Sequence, residues 1–126
     1  MKRYWGDLHN HCGISYGHGS LAAALQRAAG QLDFASVTGH AFWPDMPADR
    51  ERYGYLIDFH VGGFEKLAAG WDEALATFRR HHRNHEFVTF AGYEVHGAAY
   101  GDRTVILKEP EGPLVSGDTL ANWPRR

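Results

Sequence analysis

Cysteine is almost absent from this 126-residue chain, and long apolar runs are missing altogether. The single cysteine, Cys12, excludes an internal disulfide and fits a reducing compartment. No apolar run approaches the ~20 residues of a membrane span, and residues 1–5 lead into a predicted strand without the apolar core of a signal peptide. The formal net charge of −2 provides no basic surface for nucleic acid. We therefore expect a cytoplasmic protein with neither a membrane nor a nucleic-acid partner.

The composition that remains is typical of a globular protein, with 44% hydrophobic and 22% charged residues. A chain of this length buries roughly 65–70% of its unfolded surface, which is enough for a real core. Nine histidines and fifteen glycines stand out. Because histidine is the commonest metal ligand, this excess points to metal binding. We expect a single domain over residues 1–126.

Apolar segments bounded by glycine, proline and polar residues predict four strands. The predicted strands are 4–10, 34–38, 87–95 and 104–107. Helical patterns separate the first three of them. This strand–helix alternation is typical of an α/β fold with a parallel sheet, right-handed crossovers and flanking helices.

Two apolar stripes at helical spacing predict the main helices. Ser20 is a predicted N-cap, and the apolar residues from Leu21 to Leu32 follow it at helical spacing. The stripe from Phe64 to Phe78 predicts one amphipathic helix of about five turns. Weaker patterns predict a short helix over 49–59 and a helical start near Asp118.

The segment Gly6-Asp7-Leu8-His9-Asn10-His11 lies where the first predicted strand meets a loop rich in glycine and serine. Side chains two residues apart in an extended segment point the same way. Two imidazoles that leave one face of a strand end can therefore bind one metal ion. By itself, His-x-His is also compatible with two surface histidines near a turn.

Other metal-ligating residue types follow the later strands. His40 follows the second predicted strand, Glu94 ends the third, and Gly101-Asp102-Arg103 leads into the fourth. Because the C-terminal ends of parallel strands share one edge of a sheet, we expect His40 and Glu94 to converge with the His-x-His pair. Imidazoles with a carboxylate suit Zn, Mn or Fe. A carboxylate shared by two ions would assemble a centre that activates water and clamps phosphoryl oxygens.

Further residues near these segments have two interpretations each. His18 is a metal ligand or a solvent-facing loop histidine, with equal weight. His96 lies two residues past Glu94 and is better explained as a neighbour of a ligand, or as an exposed residue, than as a ligand. We expect His60 to be a cap or surface residue, and Cys12 to be a small buried filler.

Three segments together resemble the PHP (polymerase and histidinol phosphatase) metallohydrolase superfamily. They are Gly6-Asp7-Leu8-His9-Asn10-His11, Leu32-Asp33-Phe34-Ala35-Ser36-Val37-Thr38-Gly39-His40 and Phe90-Ala91-Gly92-Tyr93-Glu94. They are similar to that family's Asp-Leu-His-x-His at strand one, Asp-x-hydrophobic-Thr-Asp-His after strand two and Gly-x-Glu at strand three. The three motifs occur in the family's order and spacing over residues 4–107, which is more specific than any one motif alone.

The resemblance implies a distorted (β/α)7 TIM-like barrel, of which this chain supplies about the first four strands. It implies two or three divalent ions (Zn, Mn or Fe) at the C-terminal strand ends. It also implies hydrolysis of a small-molecule phosphoester by a metal-activated water. By the same resemblance, His9 and His11 bind the first ion and Glu94 is the bridge. His40 then binds a neighbouring ion, and His18 matches a loop position that is a ligand in some members.

The chain also departs from the family pattern. Gly39 stands where the family usually has an aspartate, and Arg103 stands where a metal-binding histidine is expected. Arginine stays protonated and cannot ligate a metal, but its guanidinium can hold a substrate phosphate. We therefore count Arg103 with Glu94 and His40 as catalytic candidates. The family's late Asp-x-His pair is absent, and such a barrel needs about 200–250 residues, so we expect the domain to be incomplete.

Several functional interpretations remain open. The first is a metal-dependent phosphoesterase. The second is a degenerate, non-catalytic metal-binding domain that serves as a structural or interaction module, which Arg103 and the missing late pair favour. An amidohydrolase-type barrel also begins with His-x-His, but it needs a lysine at a middle strand end, and Lys108 comes too late. Because four parallel strands cannot close a barrel, we expect a second copy or a further segment of the parent chain to cover the open sheet.

Overall fold

The computed structural model describes residues 1–114, and in this range the chain forms three helices and six short strands. The helical start predicted near Asp118 lies outside the described residues. In chain order the elements are β1 (Gly6–Asp7), α1 (Leu21–Ala29), β2 (Phe34–Ala35), β3 (Thr38–Phe42), α2 (Arg50–Ala69), α3 (Trp71–His81), β4 (Val88–Thr89), β5 (Gly92–Val95) and β6 (Arg103–Ile106).

The strands form two three-stranded sheets, and at two places the chain passes directly from the first sheet into the second. The first sheet, in the order β1-β2-β4, is parallel throughout. The second has the order β3-β5-β6, with β3 parallel and β6 antiparallel to β5. β2 leads into β3, and β4 into β5, across breaks of two residues in each case. The predicted strands 34–38 and 87–95 are therefore each divided in two.

The α/β class is confirmed, but the prediction that all the strands are parallel is wrong. β6 runs antiparallel to β5, and only residues 96–102 connect the two strands. So short a connection returns the chain alongside the strand it has left, whereas a parallel crossover needs a dozen or more residues. Within residues 1–114 the strands do not close a barrel.

α1 begins where the sequence predicts. Ser20 has an extended backbone, and its hydroxyl oxygen accepts a hydrogen bond from the Ala23 amide at 3.2 Å. This satisfies one of the amide groups that a helix leaves unpaired at its N-terminus. The helix ends at a Gly30 cap, before the end predicted at Leu32.

The single helix predicted from Phe64 to Phe78 is wrong, because two helices meet at Gly70. The apolar spacing continues through that glycine, so the period alone does not reveal the break. The short helix expected over 49–59 is the first half of the 20-residue α2, and Asp49 caps it by accepting from the Arg52 amide at 3.1 Å. None of the three helices within residues 1–114 combines the length and apolar character needed to cross a membrane.

The core lies where the helices pack on the strands. α1 and α3 pack on each other and on the first sheet, and α2 packs along β3. Cys12 is 2% exposed and belongs to this core, as expected, and burial raises the pKa of its thiol. The largest fully buried apolar side chains are Phe78, Phe87, Leu25, Leu67 and Val37.

One face of the first sheet borders a cleft with apolar residues at its centre and Lys2, Asp33, His85 and Glu86 also in its walls. Phe34 and Val88 are register partners in β2 and β4, so their side chains share this face. They line a cleft of about 400 Å³ to which the described helices contribute no residue. Sheets of parallel strands are normally covered on both faces. The other apolar lining residues are Tyr4, Leu8 and Phe90.

Candidate metal centre

The chain after β1 and the two strands β3 and β5 bring the predicted ligands together. The sequence predicts His40 after a strand, whereas it lies inside β3, because the strand continues to Phe42. His40 in β3 and Glu94 in β5 are register partners, so the two side chains lie next to each other on one face. The chain after β1 stays beside β3, because the Thr38 amide donates at 2.8 Å to the backbone carbonyl of the residue between His9 and His11. The structure brings these four side chains together, with the three histidines around the Glu94 carboxylate.

The first ligand group consists of His9, His11 and Glu94. The two imidazole Nε2 atoms are 3.2 Å apart, and they lie 3.8 and 3.5 Å from Glu94 Oε2. The Nδ1 atom of His9 meets the Thr104 hydroxyl at 2.5 Å, and that of His11 meets the Thr38 carbonyl at 2.9 Å. These contacts orient both rings with Nε2 towards the carboxylate.

The second ligand group consists of His40, Glu94 and His96. His40 Nδ1 lies 3.1 Å from Glu94 Oε2 and 2.8 Å from His96 Nε2. On its other side, His96 Nδ1 lies 3.2 Å from a carboxylate oxygen of Asp102. Metal-bound histidines are usually held in this way, by a carboxylate on the ring nitrogen that does not bind the ion. Glu94 belongs to both groups.

The donor set fits a cation. His11 Nδ1 must donate its proton to the Thr38 carbonyl, so in the neutral imidazole the Nε2 atom carries the lone pair. That lone pair faces Glu94 Oε2, which is buried and has no hydrogen-bond partner among the described residues. Two acceptors that face each other are unfavourable unless a positive charge lies between them, and here one of the two, the carboxylate, is buried. A divalent ion supplies that charge.

The electrostatics keep His40 in the form that ligates metals. Burial, followed by the neighbouring histidines His11 and His96, lowers the pKa of His40 to about 3. The imidazole is therefore neutral at physiological pH and does not need to lose a proton before it binds an ion.

Tyr16 covers one side of the second ligand group. Its ring stacks on His40, with centroids 4.0 Å apart, and its hydroxyl lies 2.9 Å from His96 Nε2. Burial and the Glu94 carboxylate raise the pKa of Tyr16, so the hydroxyl keeps its proton. It can donate to His96 Nε2, a contact that an ion bound to that nitrogen would replace. The ring fits because α2 has a glycine, Gly63, against it.

The loop that carries Asp102 is tied to the segment between β3 and α2. The Asp45 carboxylate accepts hydrogen bonds from the Ala98 and Ala99 amides at 2.9 and 2.8 Å, and from the Trp43 indole at 2.9 Å. These bonds lower the pKa of Asp45, with the Ala98 amide first. The loop is thereby held beside the second ligand group.

Arg103 does not join the cluster. In β6 its partner across the ladder is Val95, whereas Thr104 pairs with Glu94. Because successive strand residues point to opposite faces, Arg103 leaves β6 on the face away from the carboxylate, where its guanidinium lies 5.8 Å from the Tyr100 ring centroid. Its predicted role in holding phosphate gains no support from this placement.

His18 and His60 lie outside the two ligand groups. His18 is exposed in the loop before α1 and belongs to neither ligand group. His60 is not a cap at a helix start. It lies inside α2, where its Nδ1 contacts the Leu56 carbonyl and its ring packs edge-on against His96 at 5.2 Å.

Sequence reasoning undervalued His96 and did not identify its partners. The available signal was the two-residue spacing from Glu94, since residues at i and i+2 of a strand share a face. Asp102 lies in a segment that the sequence singled out, but its pairing with His96 was not predicted. Thr104 and Tyr16 carried no local signal, because each meets its histidine only through long-range folding.

Comparison of the chain with protein-family models and with curated proteins gives no match. The resemblance to the PHP superfamily therefore rests on the three motif segments alone. The functional argument starts from the geometry of the two ligand groups.

Proposed function

We propose that this chain forms the metal centre of a PHP-type, metal-dependent phosphoesterase. The observation that supports the proposal most directly is the position of Glu94 Oε2. This buried atom lies within 3.8 Å of nitrogens from three different histidines and has no hydrogen-bond partner within residues 1–114. An arrangement of this kind suits a carboxylate that is shared between metal ions.

The proposed assignment of ligands follows the two groups. His9, His11 and Glu94 would hold one ion, and His40 and His96 would hold a second ion with the same carboxylate. Imidazole with carboxylate suits Zn, Mn or Fe, and the family resemblance allows a third ion. Bound there, such ions would supply Lewis-acid activation of water and of a phosphoryl oxygen.

The protein's own groups would position and support this chemistry. Glu94 would set the spacing of the two ligand groups. Thr104 and Asp102 would fix the ring orientation of His9 and His96 through the Nδ1 contacts at 2.5 and 3.2 Å. Arg103 remains a predicted phosphate contact that lies outside this proposal.

The wider architecture in the proposal is a partial, distorted (β/α)7 barrel. The parallel order β1-β2-β4 and the parallel pair β3-β5 are compatible with it, whereas the antiparallel β6 departs from it. The open apolar face around Phe34 and Val88 would be covered by a second copy or by a further segment of the parent chain. The proposed substrate is a small phosphoester, and the proposed setting is the cytoplasm.

Metal content of the purified protein tests the centre itself. We expect close to two equivalents of Zn or Mn after loading and dialysis, and a loss of at least one equivalent in the double variant His9→Ala, His11→Ala. The double variant His81→Ala, His85→Ala, which changes two histidines far from the cluster, is the matched control. Unchanged metal content in the first double variant would contradict the assignment.

Phosphatase assays test the reaction. With Mn or Zn, we expect turnover of 4-nitrophenyl phosphate by this chain, or by a longer parent chain that contains it. Glu94→Gln keeps the shape but removes the shared charge, and should abolish turnover, while Glu86→Gln should not. If the metal is bound but no member of a broad phosphoester panel is cleaved, the second interpretation, a non-catalytic metal-binding module, is correct.

A further inference from the structure

The ring of Tyr16 is held in a fixed position beside the second ligand group. It lies on the His40 ring, with centroids 4.0 Å apart and the two planes 13° apart. It also packs against α2, where Gly63 leaves room for it and the Phe59 ring centroid is 4.7 Å away. Contacts from a strand and from a helix therefore position the ring, and the hydroxyl is the part of this side chain that can change its partner.

The Tyr16 hydroxyl has one hydrogen-bond partner within residues 1–114, and that partner is a proposed metal ligand. The oxygen lies 2.9 Å from His96 Nε2. His96 Nδ1 faces the Asp102 carboxylate at 3.2 Å and so carries the ring proton, which leaves the lone pair of the neutral imidazole on Nε2. The hydroxyl and an ion need this same lone pair. An ion bound to His96 would therefore leave the hydroxyl without its acceptor.

Two other hydrogen-bond donors beside His96 are already used within the protein. The Trp43 and His60 rings pack around His96, with centroids 5.7 and 5.2 Å from its ring. The Trp43 indole donates to the Asp45 carboxylate, and His60 Nδ1 donates to the Leu56 carbonyl. Neither contact involves a proposed ligand, so neither changes when an ion binds. Of these three donors, only the tyrosine hydroxyl is released.

A released donor at this place suits a ligand that carries negative oxygen atoms. The second ligand group offers two imidazole nitrogens and the Glu94 carboxylate, which are all acceptors in the forms that bind an ion. A phosphoryl group adds further negative oxygens beside that carboxylate. Donors whose position is fixed in advance stabilise such charge without reorganisation, and hydrogen bonds to charged groups are stronger than those between neutral groups.

We propose that the Tyr16 hydroxyl is a catalytic hydrogen-bond donor, which leaves His96 when an ion binds there and donates instead to a phosphoryl oxygen of the substrate. The inference rests on the proposed phosphoesterase function, which brings the phosphoryl group to the second ligand group. No covalent bond forms or breaks at the tyrosine, because the hydroxyl keeps its proton and only changes its acceptor. The donor acts on the phosphoryl group itself, so inorganic phosphate is a sufficient probe.

Tyr16→Phe keeps the ring that stacks on His40 and removes only the hydroxyl. By calorimetry we expect inorganic phosphate to bind the Zn-loaded variant about tenfold more weakly than the Zn-loaded wild type, since a hydrogen bond to a charged group is lost. The zinc affinity of the variant should be equal to that of the wild type or higher, because the hydroxyl no longer competes for His96. Tyr4→Phe, at an exposed tyrosine before β1, is the control and should change neither affinity.

The wild-type protein provides a second measurement that does not depend on a stable variant. With 13C at Cζ of the tyrosines, NMR reports on the hydrogen bonding of each hydroxyl. We expect one of the six tyrosine signals to shift when zinc is added and to shift again when phosphate is added. The first shift reports the release of the hydroxyl from His96, and the second reports its new acceptor. The same signal should be missing from the spectrum of Tyr16→Phe.

The outcomes separate this inference from the proposed function. Weaker phosphate binding by Tyr16→Phe at undiminished zinc affinity, together with a tyrosine signal that responds to phosphate, supports the inference. Equal phosphate affinity in variant and wild type, or tyrosine signals that ignore phosphate, overturns it and leaves the phosphoesterase proposal standing. Weaker zinc binding by the variant also overturns it, because the hydroxyl then supports the ligands rather than the substrate. If wild-type protein that has taken up zinc binds no phosphate, both proposals fail.

Discussion

Glu94 shows how one residue can determine a whole site. Glu94 is only 4% exposed, and its carboxylate faces the rings of His9, His11 and His40. A buried carboxylate is costly unless it is paired or bound to a cation. The strands around it place imidazoles at this point rather than lysine or arginine, and a neutral imidazole leaves the compensating charge to an ion.

The Thr104 hydroxyl gives a test of ring orientation. It meets His9 Nδ1 at 2.5 Å, and Thr104→Val removes this contact at nearly constant volume. We expect metal affinity to fall about 10- to 100-fold, as is usual when the partner of a ligating histidine is lost. Competition with a fluorescent zinc chelator measures the change.

The control for that measurement is Thr89→Val. Thr89 is buried and donates its hydroxyl to the Phe78 carbonyl at 2.8 Å, far from the ligand groups. This variant should lose about 1 kcal/mol of stability and keep its zinc affinity. Equal zinc affinity in Thr104→Val and the wild type would show that the contact does not orient His9.

His40 predicts an acid dependence of stability. Its pKa is about 3 in the folded chain and 6.5 in an unperturbed histidine. Between these values the unfolded chain binds a proton on this residue and the folded chain does not. Stability of the metal-free protein therefore falls as pH decreases through this window, by up to about 1.4 kcal/mol per pH unit.

Urea unfolding in the presence of EDTA, from pH 7 down to pH 4, measures this slope. His40→Gln removes the titrating group and should flatten the acid limb. His18→Gln changes an exposed histidine and should leave the slope as in the wild type. A His40→Gln slope equal to that of the wild type would disprove the assignment.

The residue scale also shows what spacing can and cannot predict. The convergence of His9, His11, His40 and Glu94 is predictable, because residues near the same edge of neighbouring parallel strands lie close together. The partners of these residues are not predictable in the same way. The Thr104 contact with His9 spans 95 residues of sequence, and no local pattern encodes it.

At the scale of elements, α2 contributes one side to the core and exposes aromatic residues on the other. Its buried side, with Ile57 and Leu67, packs in the core, while Tyr55 and Phe59 face solvent. The glycine at Gly63 lets the Tyr16 ring approach the helix axis closely. The helix thus positions a side chain that belongs to a different segment.

Alanine at two adjacent glycines of α2 tests this arrangement. At Gly63 an added Cβ would overlap the Tyr16 ring, so Gly63→Ala should displace the ring from His40 and cost about 1–3 kcal/mol. At Gly62 the Cβ meets nothing, so Gly62→Ala should stabilise the helix by about 1 kcal/mol. Thermal unfolding measures both changes, and equal effects would contradict the role of Gly63.

Element boundaries show the limits of pattern reading. The break at Gly70 is invisible to the period because the apolar stripe keeps its phase from Leu67 to Trp71, four residues later. The direction of β6 is also not encoded by its own residues. It follows from the length of the connection after Val95, and that length becomes informative only once the strand ends are known.

At the scale of the whole molecule, the open face of the first sheet predicts association. Phe34, Val88 and Phe90 line a cleft to which no described helix contributes a residue. Open sheet faces and unpaired edges favour pairing with another chain. We expect sedimentation at micromolar concentration to show dimers or larger species.

Charge placed on the open face should prevent this association. Phe90→Lys should shift the sedimentation profile to monomer, because a buried lysine in an interface is costly. Tyr100→Lys, at an exposed residue away from the cleft, is the control. A wild-type chain that sediments as a stable monomer would show that the open face needs no partner.

The hydrogen bond between His9 and Thr104 joins segments from opposite ends of the described chain. Closing so long a loop carries a large entropic cost, and contacts of this kind form only when most of the chain is already in place. An ion that binds this centre therefore selects the fully assembled chain over every partly assembled one. At a free ion concentration 100 times the Kd, this linkage adds about 2.7 kcal/mol to folding. The supply of metal would then control how much of the protein survives proteolysis, before any substrate is present.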